Sequence, residues 1–142
     1  MNTSTDSRLK SILSGTKTIA LVGFSAKPDR PSYRVAEYLA RNGYRVIPVN
    51  PGLAGQDFMG ETIVGSLDEI PADAKVDFLD IFRRPDHIPP VVEAAIAALP
   101  DLKTVWVQLG LTSEVARAMA EGEGLAYVED RCTKIEHERL LG

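Results

Sequence analysis

Two hydrophobic periods alternate along this 142-residue chain, and the switching between them lays out a fold. Ile19 to Val22, Tyr44 to Val49, Val76 to Ile81, Thr104 to Val107 and Leu125 to Val128 are short, nearly unbroken apolar runs, as parallel strands are when helices cover both faces. Between them the spacing turns helical. Val35, Leu39 and flanking alanines mark the buried face of a helix that opens at Pro31-Ser32 and closes at Asn42-Gly43. An alanine-rich helix over Pro89 to Leu99 and another over Ser113 to Glu121 follow in the same rhythm. Near the N-terminus, Leu9, Ile12 and Leu13 share one helical face and Gly15 ends it, so residues 1–15 read as a helical extension capping the sheet of a domain over residues 16–142. Pro48 cannot donate a ladder hydrogen bond, which places it near a strand end or on an open edge. Residues 51–62 are rich in glycine and turn formers and read as a loop, leading to an extended piece at Thr62 to Val64 and a helical turn at Ser66 to Ile70. Strand and helix in alternation predict an open, parallel, doubly wound α/β sheet.

Composition narrows the function without choosing it. The chain is long enough for one domain with a full core. Its net charge of −4 gives no general attraction to nucleic acid or to an anionic membrane. Cys132 is the single cysteine, so no intramolecular disulfide forms, and no basic N-terminal stretch leads into a long apolar segment. The expectation is a cytoplasmic protein.

In a doubly wound sheet, ligands bind beyond the carboxyl ends of the strands, where the strand order reverses. Here those ends carry Gly23-Phe24-Ser25-Ala26-Lys27, Asn50-Pro51, Phe82-Arg83-Arg84-Pro85, Gln108-Leu109-Gly110 and Glu129-Asp130-Arg131-Cys132. Gly23 ends an apolar run in a turn that lets a ligand approach the backbone, and the helix opening at Pro31-Ser32 would turn its positive end toward that space. A dinucleotide fingerprint would need GxGxxG and an acidic residue after the second strand to hold a ribose diol. Neither is present: Ser25 and Pro28 stand where the second and third glycines would be, and the second strand ends in Asn50. Lys27, Arg30, Arg34, Arg83, Arg84, Arg131 and Lys134 gather at this edge of an otherwise acidic chain. That pattern suits a small polyanion, because Lys and Arg pair well with phosphate oxygens.

These motifs, VGFSAKPDRPSYRVA, GYRVIPVNP, DIFRRP, VWVQLG and EDRCTKIEH, together resemble the small single-domain coenzyme A-binding proteins of bacteria, related to the N-terminal domain of the succinyl-CoA synthetase alpha subunit. The resemblance runs from about Thr16 to the C-terminus. It implies a Rossmann-like three-layer sandwich with a mostly parallel five-stranded sheet and coenzyme A or an acyl-CoA as ligand. It further implies that Gly23 to Lys27 wrap the phosphates, that Asn50 and Pro51 lie beside the adenosine, that Phe82 to Pro85 form another wall, and that Gln108 to Gly110 approach the pantetheine arm. Coenzyme A carries a pyrophosphate and a 3′-phosphate, which suits Lys27, Arg30, Arg83 and Arg84, while Phe24, Pro51 and Phe82 offer apolar walls. Where the synthetase has a lysine after its VxPG segment this chain has Leu53, so 3′-phosphate recognition falls to another cation such as Lys27 or Arg84. The resemblance does not extend to the second domain of the synthetase, with its phosphorylated histidine, so ligase activity by that route is not expected of these 142 residues alone.

Catalytic machinery is not evident. His87 reads as a capping or solvent-facing residue and His137 as structural, and neither joins Cys132 in a metal-ligand spacing. Cys132 is the sharper case, since Arg131 and Lys134 would favour its thiolate. The resemblance places it near the coenzyme thiol, where a mixed disulfide or an acyl transfer is conceivable. Asp80, inside an apolar strand, is expected to accept hydrogen bonds from Arg83 or Arg84 and to organise the site. The leading expectation is a stand-alone carrier, sensor or regulatory module for coenzyme A. An NAD(P)-binding oxidoreductase and a coenzyme A-site subunit of an acyl-CoA synthetase assembly are the alternatives. The alanine-rich helix and the sheet's exposed ends leave a homodimer open.

Overall fold

A computed structural model describes residues 3–142. Met1 and Asn2 of the expected N-terminal extension lie outside the described residues. Five parallel strands form the main sheet: β1 (Thr18–Val22), β2 (Arg45–Val49), β5 (Phe78–Ile81), β6 (Thr104–Val107) and β7 (Ala126–Val128), in the spatial order β2-β1-β5-β6-β7. Two short strands, β3 (Asp57–Phe58) and β4 (Glu61–Thr62), make a separate antiparallel hairpin. The chain leaves β1 toward one side and later returns on the other, so the strand order reverses between β1 and β5. Val22 pairs with both Val49 and Ile81, which brings the carboxyl ends of β1, β2 and β5 level.

Alternation along each strand divides the core. Ala20, Val22, Leu79, Ile81, Val105 and Val107 face α3 (Ile88–Ala98) and α4 (Glu114–Gly122), meeting Ile88, Val92, Ala95, Ala116 and Ala120. Ile19, Leu21, Phe78 and Trp106 face the opposite layer of α1 (Thr3–Gly15), α2 (Pro31–Arg41) and α5 (Thr133–Leu140). The result is the three-layer α/β sandwich expected. Leu9 and Leu13 of α1 are fully buried, and the Tyr44 hydroxyl donates to the Leu13 carbonyl, so this helix belongs to the layer rather than standing beyond it.

Pro48 sits in edge strand β2, where no ladder partner is lost. Its carbonyl accepts from Val64 N–H at 3.1 Å, and Asn50 N–H donates to the Val64 carbonyl at 2.9 Å, so the Val64 segment runs beside the end of β2. The segment read as a loop over residues 51–62 holds more order than that. A 3-10 turn covers Pro51–Leu53, and Met59 (φ 49°) with Gly60 (φ 89°) closes the β3–β4 hairpin with two positive φ angles. That is the hairpin geometry usually supplied by Asn-Gly, and Met59 hides it.

Candidate functional site

Beyond the carboxyl ends of β1 and β5 lies a groove of two lobes, about 560 and 700 Å³, which share Gly23, Phe82 and Arg83. Gly23 is required where the lobes meet. Its φ is +89°, and a Cβ there would stand 2.2 Å from the Phe82 carbonyl oxygen. Phe82 N–H donates to the Val22 carbonyl at 2.8 Å and holds the two strand ends together.

The first lobe is walled by Asn50 and Pro51, by Ser66 and Leu67 beside them, and by His87, Pro90, Val91 and Ala94. Its basic groups are Arg83 and His87. The second lobe takes Ser25, Lys27, Arg30 and Arg84 from the segments after β1 and β5, and Gln108, Leu109, Leu111, Cys132 and Ile135 from those after β6 and β7. Its cations and most of its apolar groups are therefore supplied by different halves of the sheet. Two loop anchors shape the segments after β6 and β7: Trp106 Nε1–H donates to the Arg131 carbonyl at 2.8 Å, and Gly110 N–H donates to Asp130 at 2.7 Å.

Most residues expected from the sequence meet in this groove, and four do not line it. Phe24 is turned inward, buried between Phe58 and Tyr33 at ring separations of 4.9 and 6.0 Å, so it supports the turn and offers a ligand no wall. Ala26 is exposed outside the lobes, Pro85 opens a 3-10 turn over Pro85–His87, and Gly110 is tied to Asp130. Leu109 alone of the Leu109-Gly110 pair reaches the groove.

The turn after β1 also differs from an open amide cradle. Gly23 and Phe24 N–H both donate to the Val49 carbonyl, Ser25 N–H donates to Ser32 Oγ at 2.9 Å, and Lys27 N–H donates to Ser25 Oγ at 3.2 Å. Asn50 braces the same turn, its Nδ2 donating to the Phe24 carbonyl at 2.7 Å and its Oδ1 accepting from Gly52 N–H at 2.8 Å. Anion donors here are the side chains of Lys27 and Arg30 and the first turn of α2, whose Ser32 and Tyr33 amides a helix leaves unpaired.

Asp80 is fully buried beneath the second lobe and touches neither expected arginine. It accepts from Gln108 Nε2 at 2.6 Å and from the Thr133 hydroxyl at 2.9 Å. Burial pushes its carboxyl up to about 7, against the lowering effect of those two donors. Arg83 instead turns into the groove, and Arg84 Nη2 stands 3.0 Å from His87 Nε2.

Cys132 is half-buried at the end of the second lobe, and burial pushes its thiol up despite the backbone N–H groups of Ile135 and Lys134. Its two neighbouring cations are engaged elsewhere, Arg131 with Glu136 at 3.3 Å and Lys134 with Glu138 at 3.1 Å. The expectation of a favoured thiolate is thus corrected. His137 is structural as read: it is buried in α5, with Nδ1 2.6 Å from the Tyr38 hydroxyl.

His87, read as capping or solvent-facing, makes no side-chain cap hydrogen bond and lines the first lobe with Pro90, Val91 and Ala94, which the sequence reading missed although their spacing puts them on one helical face. Ser66 and Leu67 gave no comparable signal, because the bridge between Val49 and Val64 carries them in.

Among the described residues no helix is long and apolar enough to cross a membrane. Known proteins are similar to this chain in sequence or in structure. An uncharacterized protein of Bacillus subtilis (strain 168), YneT, is 36% identical over 137 residues, covering 96% of this chain and 97% of its own length. The Thermus thermophilus protein known as cell-free ID.343 superposes with a TM-score of 0.88 at 37% identity, over 99% of this chain and all of its own. The apo dinucleotide-forming acetyl-coenzyme A synthetase 1 of Ca. Korarchaeum cryptofilum superposes with a TM-score of 0.57 at 25% identity, matching 70% of this chain but only 20% of that enzyme. Residues 17–138 match the family model described as CoA binding domain. The chain belongs to the CoA binding domain family.

Proposed function

We propose that this protein binds coenzyme A or an acyl-CoA across the two-lobed groove, as a stand-alone carrier, sensor or regulatory module without chemistry of its own. The observation that carries this reading is the arrangement of the lobes around Gly23, Phe82 and Arg83. One lobe has Pro51, Leu67 and Val91 for a flat apolar base, and the other passes from Lys27, Arg30 and Arg84 to the apolar Leu109, Leu111 and Ile135. A ligand with a nucleobase at one end, phosphates in the middle and a long weakly polar arm matches that order. Adenosine is assigned to the first lobe and the pantetheine arm to the second. Arg83 and His87 line the adenosine lobe and Arg84 adjoins it, 3.0 Å from His87, so these basic side chains are assigned to the 3′-phosphate.

An NAD(P) oxidoreductase is disfavoured by Asn50, which has no carboxylate and whose amide is committed at both ends to backbone groups. Calorimetry with coenzyme A, dephospho-coenzyme A and NADPH tests the reading. Coenzyme A is expected to bind most tightly; millimolar coenzyme A binding beside tight NADPH binding would sink it. A second reading, a coenzyme A-site subunit serving a separate catalytic chain, draws on the likeness to one fifth of an acetyl-coenzyme A synthetase. Co-purification with a nucleotide-grasp partner would favour it over the first.

A further inference from the structure

Gln108 is 5% exposed and sits on the floor of the second lobe. Its Nε2 donates one hydrogen to Asp80 at 2.6 Å and the other to Thr133 Oγ1 at 3.0 Å. Thr133 spends its only hydroxyl hydrogen on the second oxygen of Asp80, at 2.9 Å, so toward Gln108 it can only accept. An ionised carboxylate accepts and never donates. The reverse orientation of the amide would therefore set Gln108 Oε1 against two acceptors and leave its NH2 without either partner. Oε1 takes part in none of the hydrogen bonds recorded for Gln108, yet no buried side-chain polar atom among the described residues lacks a partner, so Oε1 is not sealed off from the groove.

We propose that Asp80, beneath the groove and out of reach of a ligand, is the positioning residue that turns the Gln108 carbonyl oxygen toward the second lobe, where it accepts a secondary-amide N–H of the pantetheine arm. The choice of donor rests on the coenzyme A reading above; the orientation of the amide does not. Phosphates and carboxylates would be repelled by this oxygen, whereas the secondary amides of a pantetheine arm bring N–H donors beside its hydroxyl and thiol. Burial holds Asp80 up at about 7, so it is ionised at mildly alkaline pH, where the orientation is most strictly imposed. Cys132, at the start of α5, is the titratable neighbour whose thiol its charge also raises.

Asp80→Leu separates positioning from mere support. Without the carboxylate, the Thr133 hydroxyl is free to donate to Oε1, and the amide satisfies more of its groups by turning NH2 into the groove. A donor would then face the ligand's donor. At pH 8, calorimetry should show coenzyme A binding weakened about ten-fold in Asp80→Leu and about two-fold in Asp80→Asn, where both orientations are allowed. Adenosine 3′,5′-bisphosphate, which lacks the pantetheine arm, should bind all three proteins equally. Unchanged coenzyme A affinity in Asp80→Leu, or equal weakening of both ligands, overturns the proposal. Exchange of the Gln108 side-chain amide protons, followed by NMR in the unsubstituted protein, stands independently of whether any variant folds. Both protons should exchange slowly, and fast exchange overturns the lock. Slow exchange in a protein that binds neither ligand overturns the coenzyme A reading and the identity of the donor, and leaves the lock standing.

Discussion

Replacing Gly23 with alanine probes the point at which fold and groove coincide. The added Cβ meets the Phe82 carbonyl oxygen at 2.2 Å and its carbon at 2.9 Å, both backbone atoms. Relief of roughly 1 Å must come from parting β1 and β5, since neither atom belongs to a flexible side chain. Three terms add: the positive φ costs an L-residue about 1 kcal/mol, weakening the Phe82 to Val22 hydrogen bond about 1 kcal/mol, and overpacking with backbone displacement roughly 2 kcal/mol. The sum is ~4 kcal/mol, a large share of the 5–15 kcal/mol typical of a domain. Gly43 supplies the control, because its φ is +96° and nothing lies within 4 Å of its Cβ position. Gly43→Ala should therefore cost only the conformational part, about 1 kcal/mol. Urea titrations of the two variants, with equal m-values, measure the difference. If the two substitutions cost the same within about 1 kcal/mol, the close approach of β1 to Phe82 is wrong.

The buried Asp80 makes stability depend on pH in an unusual direction. Between its unfolded value near 3.8 and its folded value of about 7 the native state binds the extra proton, so this residue lowers stability as pH rises through that window, by on the order of 4 kcal/mol in all. The stability of Asp80→Leu minus that of the unsubstituted protein should climb from pH 4 to 7 and then level off; a flat difference would refute the burial argument. Cys132 should react with iodoacetamide at pH 8 more slowly than a free thiol, since burial raises its thiol, and coenzyme A should slow it further. Equal rates would show the thiol to be open. Lys27→Gln and Arg30→Gln, at exposed positions on the second lobe, should each weaken coenzyme A about five-fold at low salt and less at high salt. A loss that salt does not diminish would remove them as phosphate partners.

The five strands of the main sheet and the segments that flank the groove were legible because apolar runs and their polar termini are local signals. Each of the five runs is a strand, and the residues after them converge because parallel strands end on one side. What escaped depended on direction and on competition for hydrogen bonds. Phe24 follows Gly23 closely enough to suggest a ligand wall, yet the turn rolls it into the core against Phe58. The amides of Gly23 and Phe24 look available until the Val49 carbonyl is beside them. Asp80 lies close in sequence to Arg83, but strand alternation points it with Phe78 toward α5, where Thr133 and Gln108 arrive from distant segments. No local pattern announces such a meeting.

If coenzyme A spans both lobes as proposed, the junction of Gly23, Phe82 and Arg83 between them would give the groove the properties of a bivalent receptor. Each lobe alone would hold a fragment weakly, whereas a single molecule spanning both would present its second half at an effective concentration set by the covalent link between them. Affinity then depends on the length and continuity of the ligand as much as on any one contact. A nucleotide and a pantetheine supplied as separate molecules would fill the same volumes and still compete poorly with the joined compound. Cellular nucleotides that reach only one lobe would be left behind for the same reason, with no group in the protein needed to reject them.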